Sequence, residues 1–281
     1  MMGSTDHQFI WLNEELIPAA EARVSVNDRG LLFGDGLFET LRAEAGRVLF
    51  LPEHLARLQA SARVFRLQFP AWVPWEERLA ELLTANGLTR GPARVKILLT
   101  RGVAPGLGLP PSSRPTLVIW AHPYTLPTPE EYAAGWPVVV FPEGRSSFVG
   151  RHKSLSYLFY LAARQYALDE GAKEALILEA DGLVSEGAAT SLVYLHQRRF
   201  YTPKSASALP GVTVAVLRRG LAARDLTLDA QPTTVAQLHE AGGLWLANSL
   251  MGLMPVAAIN GMPVPLSEAT AFLQEVLAVM N

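Results

Sequence analysis

The sequence predicts an α+β protein built as two α/β domains. Three observations carry this. Short apolar segments recur between turn residues, as strands do. Segments with helical spacing are mixed among them without strict strand–helix alternation. A stretch with two prolines, LPTPEEYAAG, breaks the pattern near the middle.

In order along the chain, FIWL, RVSV, FETLRA and RVLFL read as strands of an antiparallel sheet. Leu55, Leu58, Ala62 and Phe65 recur at helical spacing and predict a helix over about 53–65, with a second over 75–85. ARVKILLTR and PTLVIWAHPY predict two strong strands. The segment between them, GVAPGLGLPPSSRP, is too rich in Gly and Pro for regular structure. The boundary is placed near 122–130, giving an N-terminal domain over 1–122, a linker over 123–130 and a C-terminal domain over 131–281. Beyond it come a strand WPVVVF, a loop GRSSFVGRHK and a helix SLSYLFYLAARQYALDEG. Strands EALILEA, SLVYL and RFYTP follow, then a helix from Gly211 to about Ala223, strands GLWLANS and MPVAAI, and a last helix from Ser267.

Composition narrows the function. Hydrophobic residues make up 49% and charged residues 18% of the 281, a globular balance. The net charge of -2 argues against a nucleic-acid partner. Without cysteine there is no disulfide framework and no Cys-ligated zinc or iron–sulfur site. The N-terminal stretch MMGSTDHQFIWLNEELIP lacks the basic and apolar regions of a signal peptide, and no apolar run approaches the roughly 20 residues of a membrane helix. The expectation is a soluble cytoplasmic protein with no membrane partner.

There are only four lysines, Lys96, Lys153, Lys173 and Lys204. Lys153, in RHKSLSY, sits between a loop and an amphipathic helix, where a helix entrance depresses a nearby ammonium pKa and makes the amine nucleophilic. The other three read as solvated; Lys96 simply alternates within a strand. Glu186 falls in a Gly/Ala-rich break after the turn Asp181-Gly182, where a flat ligand can approach the backbone. Pro210-Gly211 followed by Val212-Thr213 makes a helix start suited to phosphate, and Asn248-Ser249 could add donors or form an ordinary turn. Arg57 carries the fork that matches phosphate. GDG at 34–36 is not a nucleotide fingerprint, and the six histidines form no ligand pair, so no metal site is expected.

Taken in order, VNDRGLLFGDGLFETLR, HLARL, RHKSLSY, DGLVSEGAATSL, LPGVT and NSLMGLMPV resemble the fold-type IV pyridoxal-phosphate enzymes, over about residues 20–258. That group includes branched-chain aminotransferases, D-amino-acid aminotransferases and aminodeoxychorismate lyases. The resemblance implies a smaller N-terminal α/β domain and a larger barrel-like C-terminal one, with pyridoxal 5'-phosphate in the cleft between them. It implies a homodimer whose partner's N-terminal domain closes the site on a small amino substrate. Lys153 matches the Schiff-base lysine, Glu186 the carboxylate at the pyridine nitrogen, and Arg57 an arginine on the phosphate. Val212, Thr213 and Ser249, with Asn248 beside them, match the rest of the cofactor site.

FGDGLFET looks more like the lyases and D-amino-acid aminotransferases; the branched-chain enzymes usually carry Tyr where this chain has Phe33. KSLSY and NSLMGLMPV, with Asn248, look most like the lyases. The resemblance therefore implies conversion of 4-amino-4-deoxychorismate to 4-aminobenzoate and pyruvate, a step toward folate, with transamination of D-amino acids or branched-chain amino acids as the alternative. The loop GVAPGLGLPP departs from both patterns: Leu107 stands near the place where some lyases carry arginine, and Arg-x-His is missing. Phe33, Thr40, Arg42, Arg101 and Leu107 are the candidates for substrate contact.

Overall fold

A computed structural model describes residues 8–111 and 114–280. The first seven residues, part of the stretch read for a leader, and two serines of the Gly/Pro-rich loop lie outside the described residues. The chain divides into two compact units. One runs to Leu126 and also takes in Lys153–Ser156; the other holds Pro127–His152 and the chain from Tyr157 onward.

The first unit is a six-stranded antiparallel sheet with helices on one face. Its strands are β1 (Phe9–Leu12), β2 (Glu15–Pro18), β3 (Gly36–Glu44), β4 (Arg47–Val48), β5 (Pro92–Thr100) and β6 (Thr116–Pro123), in the order β2-β1-β6-β5-β3-β4. Strand alternation decides what faces the helices. Leu37, Leu41 and Ala43 of β3 and Ala93, Val95, Ile97 and Leu99 of β5 are buried, and most of them pack with Leu58 of α2 (Leu51–Val64) and Leu79, Leu82 and Leu83 of α3 (Trp75–Ala85). The opposite parity puts Phe38, Thr40, Arg42, Arg94, Lys96 and Trp120 on the other face. A short helix α1 (Arg29–Phe33) precedes β3, its first turn capped by the Asp28 side chain.

Two strand expectations fail here. Residues 23–26 (RVSV) form no strand: Val24 and Val26 are exposed and the segment has no ladder partner. RVLFL yields only the two residues of β4, because Phe50 takes a left-handed conformation (φ 53°) and turns the chain into α2.

The second unit carries a nine-stranded mixed sheet. Its strands are β7 (Trp136–Val140), β8 (Glu174–Leu178), β9 (Val184–Gly187), β10 (Ser191–His196), β11 (Arg199–Pro203), β12 (Leu228–Gln231), β13 (Gly243–Asn248), β14 (Gly252–Ile259) and β15 (Met262–Pro263). The order is β12-β11-β10-β13-β14-β7-β8-β9, with β15 on β14. The sheet curls until β9 returns against β10 and β11, a barrel-like form. Short helices α4 (Pro129–Ala134) and α7 (Val235–His239) precede β7 and β13, β14 runs parallel to β7, and the parallel pairs β7–β8 and β11–β12 are joined by crossovers through α5 (Leu158–Asp169) and α6 (Val212–Ala222). The last helix, α8 (Ala269–Val279), packs on α6 and β14. No helix among the described residues is long and apolar enough to cross a membrane.

The helix expected from Ser154 begins four residues later, at Leu158. The backbone of 153–155 is already committed: Lys153 C=O accepts from Phe38 N–H (2.8 Å) and Leu155 N–H donates to Gly36 C=O (3.0 Å). A residue hydrogen-bonded along a strand cannot also supply a helical turn.

Candidate active site

Lys153 belongs to the first unit, on a short extended segment that bridges β3 at Leu37 and Ser154. Glycine at 36 permits the approach, since a Cβ there would fall 2.7 Å from Leu155 Cδ1 and 2.8 Å from the Leu99 carbonyl oxygen. Lys153 Nζ lies 4.5 Å from the centroid of the Phe38 ring, a cation–π distance. The amine is thus seated by an aromatic on a sheet rather than by a helix entrance.

Behind the same strand, on its helix-covered face, is a buried ionic cluster. Glu39 shares the parity of Leu37 and Leu41, and only 1% of it is exposed. Arg57 donates to it from Nε (2.8 Å to Oε1) and Nη2 (2.6 Å to Oε2), and His54 Nδ1 lies 2.8 Å from Oε2. Burial alone would raise the Glu39 pKa. The Arg57 charge and the hydrogen bonds from Arg57 and His54 outweigh it and hold the carboxyl down at about 2. Burial keeps His54 below the usual imidazole range despite the carboxylate beside it. A carboxylate can only accept, so Nδ1 carries the proton. Sequence reading missed Glu39 and His54. The available signal was a carboxylate at a core position of an alternating strand, which demands a cation across from it.

In the second unit, Glu186 is buried on β9. The Tyr160 hydroxyl donates to its Oε1 (2.8 Å) and the Leu209 N–H to its Oε2 (3.0 Å). Tyr160 stacks on Tyr157 at 4.9 Å, and the Arg145 guanidinium lies 4.9 Å over the rings of Tyr160 and Phe159. Burial and the Glu186 charge push both tyrosines up, Tyr157 to about 12, so both phenols stay protonated donors. Tyr157 closes the motif RHKSLSY, whereas nothing in the sequence sets Tyr160 or Phe159 apart.

Val212 and Thr213 open α6, whose first turn has no side-chain cap. Thr213 Oγ1 is buried without a hydrogen-bond partner among the described residues. Asn248 ends β13, and its Oδ1 accepts from the N–H groups of Leu250 and Met251 (3.0 Å each), so it builds the turn that carries Ser249. The structure therefore puts Lys153 and Arg57 in one unit and Glu186, Val212, Thr213, Asn248 and Ser249 in the other.

The substrate candidates divide. Thr40 and Arg42 share the face of Phe38, and Arg42 Nε lies 3.3 Å from Glu44. Phe33 is exposed, with the Arg29 guanidinium over its ring. Leu107 is 87% exposed. Arg101 is a correction. It is 0% exposed, and its guanidinium is taken up by Asp35 and by the carbonyls of Phe65, Arg66 and Pro110. It anchors the loop after β5 and presents nothing to a substrate. Lys96 is a second correction: it is half-buried between aromatic rings rather than solvated.

The model of the amino-transferase class IV family matches residues 36–259. The chain belongs to this family, and it is an enzyme of that class. It is 31% identical over 258 residues to a Methanocaldococcus jannaschii protein named as a branched-chain-amino-acid aminotransferase, covering 90% of this chain and 88% of that one. It is 30% identical to a D-alanine aminotransferase of Staphylococcus haemolyticus, covering 90% and 89%. An aminodeoxychorismate lyase of Bacillus subtilis matches at 28%, covering 89% and 86%. In fold, a Mycobacterium tuberculosis aminotransferase solved in its PLP-bound form superposes with a TM-score of 0.84 at 23% identity, covering 97% of this chain and 98% of that one. Two α/β domains with a curled sheet are the shared architecture.

Proposed function

We propose that this protein is a pyridoxal-phosphate-dependent aminotransferase acting on branched-chain or D-amino acids. The observation that carries the reading is the seated amine of Lys153 in a class IV chain, and the names of its more similar relatives favour transamination over elimination. Pyridoxal phosphate, when bound, supplies an electron sink for the charge left at the substrate carbon.

The residues fit that group. An orphaned, buried hydroxyl on Thr213 and an uncapped first turn on α6 are what an anionic oxygen would satisfy. Arg57, held in a fork by Glu39, carries a charge suited to phosphate in the first unit, and Val212 N–H and Ser249 are donors suited to it in the second. Asn248 shapes the turn for Ser249. Glu186 keeps a ring nitrogen protonated, its own orientation set by Tyr160 and the Leu209 N–H. Lys153 anchors the cofactor aldehyde and then takes and returns the proton of the substrate carbon.

Incubation with pyridoxal phosphate followed by borohydride should fix the label on the peptide holding Lys153, and Lys153→Ala should abolish both labelling and turnover. D- and L-amino acids with 2-oxoglutarate should yield new oxo acids. A label on another lysine, or no oxo acid from any amino acid, overturns the reading. The second reading is the lyase, favoured by KSLSY, by NSLMGLMPV and by the Bacillus subtilis relative. Release of 4-aminobenzoate and pyruvate from aminodeoxychorismate, without transamination, would establish it. The reading includes a homodimer, supported by apolar side chains on α1 and the loop after β5 that stand in solvent.

A further inference from the structure

Each oxygen of the Glu186 carboxylate has a donor, and both donors depend on segments tied to one other carboxylate. That carboxylate is Glu179, half-buried just after β8. The Ser146 and Ser207 hydroxyls donate to its Oε2 (2.6 and 3.0 Å). The Ser205 hydroxyl and the Ser207 N–H (3.2 Å) donate to its Oε1. Among the described residues no Lys, Arg or His lies within ion-pair distance of it. Burial would raise its pKa, but the hydrogen bonds from the three serines outweigh that and hold it below its ordinary value. A carboxylate served by hydroxyls and an N–H, with no cation, fixes geometry rather than balancing charge.

One arm of this network is the segment 205–209. Ser205 Oγ accepts from the N–H groups of Ser207 and Ala208 (3.0 and 2.9 Å), so the turn is wound on a hydroxyl that Glu179 holds. One residue further, the Leu209 N–H reaches Glu186 Oε2 (3.0 Å). The other arm is the segment 144–147. Ser146 ties it to Glu179, and the Ser147 N–H donates to Ser207 Oγ (2.9 Å). This segment carries Arg145, whose guanidinium lies 4.9 Å over the Tyr160 ring, and the Tyr160 hydroxyl donates to Glu186 Oε1 (2.8 Å).

We infer that Glu179 is a positioning residue for Glu186: through 205–209 and 144–147 it holds both donors and so sets how that carboxylate faces the cofactor ring. The inference rests on the reading of Glu186 as the partner of the ring nitrogen. Without Glu179 the two donors drift, the carboxylate turns, and the nitrogen keeps its proton less firmly.

The test uses the holoenzymes of Glu179→Ala, Glu179→Gln and Ser205→Ala, each alone and combined with Glu186→Gln. Glu179→Ala should lower kcat about tenfold, the worth of roughly one hydrogen bond to a charged group, with KM nearly unchanged. The pH at which the cofactor's visible band changes should rise by about one unit, since a ring nitrogen less firmly protonated repels a proton at the Lys153 nitrogen less. Glu179→Gln should recover most of both effects, because an amide can take the same serine partners and a hydroxyl accepts as well as donates. Ser205→Ala cuts one arm from its far end, leaves the charge in place and should move the band in the same direction. On top of Glu186→Gln neither change should add anything, since residues that act through one group are not additive. An unmoved band, or losses that add in full to those of Glu186→Gln, make Glu179 a purely structural residue and overturn the inference. If Glu179→Ala does not fold, Ser205→Ala decides by the same two readouts. If Glu186→Gln by itself leaves the band where the wild type has it, the reading of Glu186 fails instead.

Discussion

At position 39 the alternation of β3 places a carboxylate where leucine would be expected, and Arg57 and His54 answer it from α2. Removing one partner of a buried pair leaves the other charge without compensation, which costs about 3–5 kcal/mol. Glu39→Gln should therefore lower stability by roughly that amount and weaken pyridoxal-phosphate affinity, measured by equilibrium dialysis, because the Arg57 fork is no longer held. The sign of the pH dependence follows from the folded pKa of about 2 against an ordinary 4.5. The contribution is fully present above about pH 4.5 and disappears as the pH falls toward 2, a loss of about 3 kcal/mol by linkage. Urea melts from pH 6 to pH 2 should show that slope in the wild type and a shallower one in Glu39→Gln.

Among the elements, the start of α6 and the loop after β5 illustrate opposite arrangements. The first turn of α6 holds a buried hydroxyl with no hydrogen-bond partner among the described residues, so Thr213→Val should leave the cofactor-free protein as stable or slightly more so. The same change should weaken pyridoxal-phosphate binding about tenfold, by loss of one hydrogen bond to a charged group. A fall in apo stability with unchanged cofactor affinity would mean that Thr213 is a packing residue. The loop after β5 is anchored by side chains at several points: Arg29 donates to the Gly106 and Gly108 carbonyls, Arg101 to that of Pro110, and both arginines share Asp35. That network pins a segment without regular structure. It also explains why arginines at 29 and 101 serve architecture here rather than ligands.

For the molecule as a whole, the loop pinned by Arg29 carries Val103 and Leu107 outward, next to a helix that exposes Leu31, Leu32 and Phe33. Scattered exposed leucines are ordinary, but a cluster tied to one anchor is what the proposed homodimer would cover. Light scattering should give the mass of two chains. Leu31→Glu with Leu107→Glu should shift it toward one, while the labelling of Lys153 is retained or reduced but not moved to another residue.

Residue order and spacing were enough to establish most of the elements and the chemistry on offer. Periodicity placed α3 over Trp75–Ala85 and the alternation of β5, since a helix face and a strand face are properties of local spacing. Motif order singled out Lys153, Glu186, Arg57 and Thr213. Which side chains meet was left to packing. It joined Glu39 to Arg57, turned 153–155 into a strand-like segment, enclosed Arg101, and set Lys96 beside the ring that seats Lys153. The reason is range: a local pattern reports which way a side chain points relative to its neighbours in sequence, whereas an ion pair, a desolvated cation or a spent guanidinium depends on residues brought near only by strand pairing and packing.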